Sequence, residues 1–160
     1  MIEYWKIKEF SGKKCFTAGV GDTTTKDVLT HILDGLLVGS FNSIVMILGT
    51  NDVKYKMTAK ETADNLLMII NYLKECYPSI NIIYCTIPPV NGRWDRKNNA
   101  IDVRNAKVLA VLSDKVNVLN LGFLKDSKGS LSSEYTIDGL HFSEVAYENV
   151  NHKIENNEYQ

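Results

Sequence analysis

The chain has 160 residues, room for one domain with one core, and 44% hydrophobic against 23% charged is the mixture of an ordinary globular protein. A formal net charge of −1 leaves no basic footprint for nucleic acid or an anionic membrane, and apolar runs such as Ile44 to Leu48 are far too short to span a bilayer. A small-molecule partner is therefore expected. The first residues carry no signal-peptide pattern, which suits a cytoplasmic setting. Three cysteines, Cys15, Cys76 and Cys85, are odd in number and lack paired metal-site spacing, so reduced, buried thiols are expected and no metal site.

In chain order, Lys14-Cys15-Phe16-Thr17-Ala18 reads as a short strand leading into Gly19-Val20-Gly21-Asp22. Thr24, with Asp27 three residues on, starts a helix carrying Val28, Leu29, Ile32, Leu33 and Leu36. The continuous apolar run from Ser43 to Leu48 marks a parallel strand covered on both faces, and Gly49-Thr50-Asn51-Asp52 ends it. Thr58 and Glu61 form a capping box ahead of the stripe Ala63, Leu66, Leu67, Ile70 and Leu73, with Pro78 after the stop. A buried strand over Ile80 to Cys85 runs into Thr86-Ile87-Pro88-Pro89 and a polar loop through Asn99. A helix with Ile101, Val108, Leu109 and Leu112 on one side precedes a last strand over Val116 to Leu119 and a long, mostly polar connection over 120–137. A closing apolar-periodic segment carries Val145, Tyr147, Val150 and Ile154. Strand and helix alternating in this way predict one domain over 1–160, with a mainly parallel sheet near 14–18, 43–48, 80–85 and 116–119 and helices on both faces: a three-layer α/β/α fold.

Ligands of open parallel sheets bind beyond the carboxyl ends of the strands. Those ends carry Gly19-Val20-Gly21-Asp22, Gly49-Thr50-Asn51-Asp52, Pro88-Pro89 and, last, Asp138-Gly139-Leu140-His141. An aspartate three residues before a histidine lets a carboxylate accept from one ring nitrogen and leave the other to take a proton from a nucleophile; a helix-capping aspartate beside a surface histidine is the alternative. Gly19-x-Gly21 lacks the third glycine of a dinucleotide loop and the Lys-Ser/Thr of a P-loop, and Gly49 to Asp52 taken alone reads as a turn. His31 and His152 fall inside helices and read as structural or surface residues.

Together these residues resemble the SGNH hydrolases, also called GDSL-type esterases and lipases, of flavodoxin-like fold. Gly49-Thr50-Asn51-Asp52 matches the family's third block and Asp138-Gly139-Leu140-His141 its fifth, while Thr17-Ala18-Gly19-Val20-Gly21-Asp22-Thr23-Thr24-Thr25 is similar to the second. The second block departs from the pattern: Thr17 stands where Asn is common, and Asp22 at the usual oxyanion-hole glycine, where its side chain crowds the site with negative charge. The resemblance implies acyl-ester hydrolysis (esterase, lipase or carbohydrate O-acetylesterase) without metal or cofactor, on a small-molecule or saccharide ester. It implies His141 as general base, Asp138 as its orienting carboxylate, and the Asn51 amide with the Gly21 and Asp22 backbone as oxyanion donors. Arg93, Trp94 and Arg96 stand in the loop after Pro88-Pro89, where they line the alcohol side or belong to a solvated loop.

The family's first block, a buried strand ending in Gly-Asp-Ser with the nucleophilic serine, has no match. Met1-Ile2-Glu3-Tyr4-Trp5 resembles the segment directly after that serine, so two expectations stand: a reading frame that starts too late, which would delete any signal peptide as well, or true loss of the block, leaving a binding module for a carbohydrate or acyl ligand. Ser11 reads as a turn residue. In the family the missing strand lies centrally, between those expected at 14–18 and 43–48. A second copy of the chain, a shifted strand or direct pairing of the flanking strands would have to cover the gap.

Overall fold

Three β-rich runs build a parallel sheet. In the computed structural model, which describes residue 5, residues 8–10 and residues 12–160, they are β3 (Ser43–Ile47), β4 (Asn81–Cys85) and β5 (Asn117–Leu119), in the order β3-β4-β5. The expectations placed on Met1 to Tyr4 and on Ser11 lie outside the described residues. Register aligns Met46 with Tyr84 and Val118, and Ile47 with Cys85 and Leu119. Since side chains alternate across a strand, these two rows face opposite ways. The first row packs with α1 (Thr25–Leu33), α3 (Ala59–Cys76) and α4 (Asn98–Leu112) through Leu29, Leu66, Ile69, Ile70, Val108 and Leu112. The second packs with Phe142 and, in α5 (Glu144–Glu155), with Tyr147, Val150 and Ile154. Helices thus cover both faces of a parallel sheet, the three-layer α/β/α arrangement. Each fully buried Leu or Ile contributes on the order of 1.5–3 kcal/mol.

The helix starts are where local chemistry puts them. Thr24 Oγ1 accepts from the Asp27 N–H while the Asp27 carboxylate accepts from the Thr24 N–H, and Thr58 with Glu61 repeats the box at α3. The helix α1 ends at Leu33, so Leu36 lies beyond it and is exposed. A short helix, α2 (Thr50–Lys54), begins directly after Gly49, whose φ of 109° suits a residue without Cβ.

Several expectations need correction. The segment 14–18 is not a parallel strand: Lys13–Lys14 (β2) pairs antiparallel with Glu9–Phe10 (β1), and 15–20 has no regular structure, with Phe16 80% exposed. A strand needs a neighbour to pair with and a layer to bury its face, and among the described residues β3 pairs with β4 alone. Direct pairing of 14–18 with 43–48 therefore does not occur. The connection 120–137, mostly polar by sequence, also holds two 3-10 turns, Leu121–Leu124 and Ser133–Tyr135, and drives Leu121, Leu124 and Leu131 into the core. Of the cysteines only Cys85 is buried; Cys76 is exposed and Cys15 half-buried. Val145 is 46% exposed, and Ala146 takes its place on the buried face of α5. Among the described residues no helix is long and apolar enough to cross a membrane.

Candidate active site

The segment after β5 builds its own rigid turn. The Ile137 N–H and the Thr136 hydroxyl both donate to the His141 carbonyl, at 2.9 Å each, and the Gly139 N–H donates to Thr136 Oγ1 at 2.8 Å. Gly139 has φ of 83°, and a Cβ there would meet the Asn91 carbonyl oxygen at 2.0 Å, so only glycine lets the turn lie against the loop after β4. Asn91 answers by donating its N–H to the Gly139 carbonyl at 2.8 Å. Buried Phe142 anchors the far side of the turn, and Ser143, not Asp138, caps α5.

Within that turn Asp138 Oδ2 lies 2.7 Å from His141 Nδ1. Its other oxygen accepts the backbone N–H groups of His141 at 2.8 Å and Leu140 at 3.0 Å. Partial desolvation works to raise the Asp138 pKa, but these backbone bonds and the imidazole outweigh it and hold the carboxyl at about 2. A carboxylate kept ionised beside Nδ1 fixes the ring's position and favours the proton on that nitrogen.

The short helix α2 positions the second group. Asn51 Nδ2 donates to the Thr23 carbonyl at 3.0 Å, and Asn51 Oδ1 accepts from Arg96 Nη2 at 2.8 Å. The next residue, Asp52, is fully buried and accepts the N–H of Thr25 at 2.8 Å and its hydroxyl at 2.6 Å, which latches the start of α1 to α2. Thr25 Oγ1 accepts in turn from Asn65 Nδ2 at 3.1 Å. The 21–25 segment and the 49–52 segment are therefore tied together at two successive residues.

Asp22 corrects an expectation about charge. Its φ is 61°, the left-handed region where glycine is at ease and Asp is among the better-tolerated substitutes. The side chain does not stand as loose negative charge: Lys54 Nζ lies 2.6 Å from Oδ1 and the Tyr55 hydroxyl donates to Oδ2 at 2.5 Å. The Lys54 bond, followed by that of Tyr55, lowers the Asp22 pKa.

The loop after β4 joins the two halves. It touches the Asp138–His141 turn through Asn91 and the Asn51 amide through Arg96. Asn98 holds it in shape, with Oδ1 accepting from the Val90 N–H and Nδ2 donating to the Val90 carbonyl, both at 2.9 Å. Arg96 is 4% exposed and pairs through Nη1 with Asp95, which also receives Arg93 at 3.2 Å. Trp94 is 89% exposed. Arg93, Trp94, Arg96 and Lys97 line a cavity of about 400 Å³ with Val90 and Ser130. The sequence placed Arg96 beside Arg93 and Trp94 but carried no sign that it reaches Asn51, a contact between residues 45 positions apart. Asp52 was equally silent, since a buried latch and a turn aspartate look alike in one dimension. Among the described residues no group of three or more His, Cys, Asp or Glu could hold a metal ion.

Residues 8–148 match the GDSL-like lipase/acylhydrolase family. The chain belongs to this family. It is 31% identical over 157 residues to an N-acylneuraminate cytidylyltransferase of Escherichia coli O18:K1:H7, a match covering 96% of this chain and 37% of that protein. The chain thus spans little more than a third of that curated relative. Among solved structures it is similar to one from Streptococcus pneumonia described as a platelet activating factor, with TM-score 0.86 and 29% identity over 97% of this chain and 78% of the other. A GDSL-like lipase from Bacteroides thetaiotaomicron, 22% identical, superimposes with TM-score 0.72 over 87% of this chain and 72% of its own. An acetyl xylan esterase, 18% identical, does so at 0.68 over 86% and 77%. At those identities the last two show the fold alone. This member of the family contains no Gly-Asp-Ser tripeptide between residues 1 and 160.

Proposed function

We propose that residues 1–160 form one acylhydrolase domain that removes a small acyl group from a saccharide ester, with His141 as general base, Asp138 as its orienting carboxylate, and Asn51 with the Gly21 and Asp22 backbone N–H groups as oxyanion donors. The observation that carries this reading is the 2.7 Å contact between an ionised Asp138 and His141 Nδ1, built into a turn that the Gly139–Asn91 contact holds against the loop leading to Asn51. In the proposed cycle, His141 takes the proton of a serine hydroxyl as that oxygen attacks the ester carbonyl. The oxyanion of the tetrahedral intermediate is held by the Asn51 amide and the two backbone donors. The C–O bond to the alcohol then breaks, His141 returns the proton to the leaving oxygen, and water repeats the sequence on the acyl-enzyme.

The reading requires a serine nucleophile, which the resemblance assigns to the family's first block. A saccharide substrate is supported by a relative named for N-acylneuraminate, of which this chain spans 37%. The cavity beside Arg93 and Trp94 is the proposed seat of the alcohol part. A second copy of the chain is the proposed cover for the edge of β3 that is unpaired among the described residues, and sedimentation equilibrium of the purified chain reads it as a dimer mass.

A second reading, a ligand-binding module without hydrolysis, is favoured by the absence of Gly-Asp-Ser from residues 1–160. The test compares p-nitrophenyl acetate and an O-acetylated sugar as substrates for this chain and for one extended upstream in frame. The extended chain should hydrolyse both, and His141→Ala in it should lower kcat by about 10²–10⁴-fold. An extended chain that turns over neither ester while still binding the sugar would establish the second reading instead.

A further inference from the structure

Arg96 is costly to the fold. It is 4% exposed, its Nε has no hydrogen-bond partner among the described residues, and a buried guanidinium carries a desolvation penalty that its pairing with Asp95 only partly offsets. Its remaining bond is the one to the Asn51 side chain.

That bond decides which way the amide faces. An Asn side chain has an acceptor and a donor end of nearly the same shape, and only its partners distinguish them. Here both partners are unambiguous: a guanidinium only donates and a backbone carbonyl only accepts. Arg96 Nη2 at 2.8 Å therefore claims Oδ1, and the Thr23 carbonyl at 3.0 Å claims one Nδ2 hydrogen. The second Nδ2 hydrogen is left for another acceptor. It is held next to the 21–23 segment, because Thr23 directly follows the Gly21 and Asp22 backbone. Without Arg96 the Thr23 carbonyl alone would hold the amide, and whatever fraction flipped would point a carbonyl oxygen where a donor is required, repelling a developing oxyanion.

We infer that Arg96 is a positioning residue for ester hydrolysis, locking the Asn51 amide in its donor-presenting orientation; the inference rests on the oxyanion role proposed for Asn51. Arg96 also lines the cavity beside Arg93 and Trp94, so this action through Asn51 is added to the expected substrate-lining role. Asp95 supports the lock, since it holds Arg96 Nη1 and is itself fixed by Arg93 at 3.2 Å. Lysine is no substitute at this site, because a single ammonium cannot span Asp95 and Asn51 as the planar fork does.

The test combines kinetics with spectroscopy. In the form of the protein that hydrolyses p-nitrophenyl acetate, Arg96→Met should lower kcat by about 10²-fold, the cost of one oxyanion donor, with KM within about twofold because the donor acts on the transition state. Asn51→Ala should give a similar loss, and the double variant no further loss. Arg96→Lys should recover less than a tenth of the missing rate. Independently of activity, the Asn51 side-chain amide protons should exchange slowly with solvent in the parent chain and at least tenfold faster in Arg96→Met, with unchanged secondary structure by circular dichroism. If Asn51→Ala itself keeps full kcat, the oxyanion reading fails and this inference with it. If Asn51→Ala loses activity while Arg96→Met does not, or the two losses multiply, or the amide protons are indifferent to Arg96, the inference alone is overturned.

Discussion

Asp138 does two jobs with two oxygens: Oδ1 closes the turn through backbone N–H groups and Oδ2 meets the imidazole. Asp138→Asn should keep a turn-closing acceptor but leave the ring without its anionic partner, lowering kcat of the hydrolytic form by about 10²–10⁴-fold; stopped ester assays at saturating substrate measure this. The same carboxyl has a folded pKa of about 2, below its unfolded value, so its contribution to stability is fully present above the unfolded pKa, roughly 4, and is lost as pH falls toward 2. The side chain is 45% exposed, so solvent screening limits this contribution to on the order of 1 kcal/mol. Urea unfolding at pH 5 and pH 3 should show a smaller difference for Asp138→Asn than for the parent chain. Thr25 makes a sharper case. Thr25→Val keeps the shape but removes the hydroxyl that donates to fully buried Asp52 at 2.6 Å. A buried carboxylate short of one donor costs about 1–3 kcal/mol, which urea unfolding at pH 7 will read directly.

At the scale of elements, α3 carries the largest share of one face of the core, with Ala63, Leu66, Ile69, Ile70 and Leu73 at 0% exposure. Its start depends on the reciprocal bonds between Thr58 and Glu61. Thr58→Ala should cost about 1 kcal/mol and lower Tm by about 2–4 °C, measured by calorimetry. This capping box, like that of Thr24 and Asp27, was legible in the sequence because both partners lie within four residues of each other. The contact between the Asp138–His141 turn and the loop after β4 was not, since Gly139 and Asn91 are brought together only by the parallel order of β4 and β5. Gly139→Ala should therefore displace the turn from Asn91. Hydrogen exchange at the Asn91 N–H should accelerate by at least tenfold while the amides of α3 keep their protection.

For the molecule as a whole, the sheet's two faces are filled from different parts of the chain, and the second relies on the connection after β5. Leu131, from that mostly polar stretch, is 0% exposed. Leu131→Ala should cost about 2–5 kcal/mol, as much as Leu66→Ala in α3, and parallel urea unfolding of the two variants checks the equality. The alternation of apolar runs with capped helical stripes was sufficient by itself to specify an α/β sandwich with β3, β4 and β5 parallel, because period and capping are local properties of the chain. The same locality made Asp138 and His141 legible as a pair, three residues apart in one turn. Whether 14–18 forms a strand was beyond local reasoning: Cys15-Phe16-Thr17-Ala18 has the composition of one, but pairing partners decide, and here Lys13–Lys14 pairs with Glu9–Phe10 instead. The burial of Leu121, Leu124 and Leu131, the pairing of Asp22 with Lys54 and Tyr55, and the grip of Arg96 on Asn51 were likewise decided only in three dimensions. Each joins residues, or a residue and a core, that lie far apart in the chain, and a single sequence carries no record of such distances.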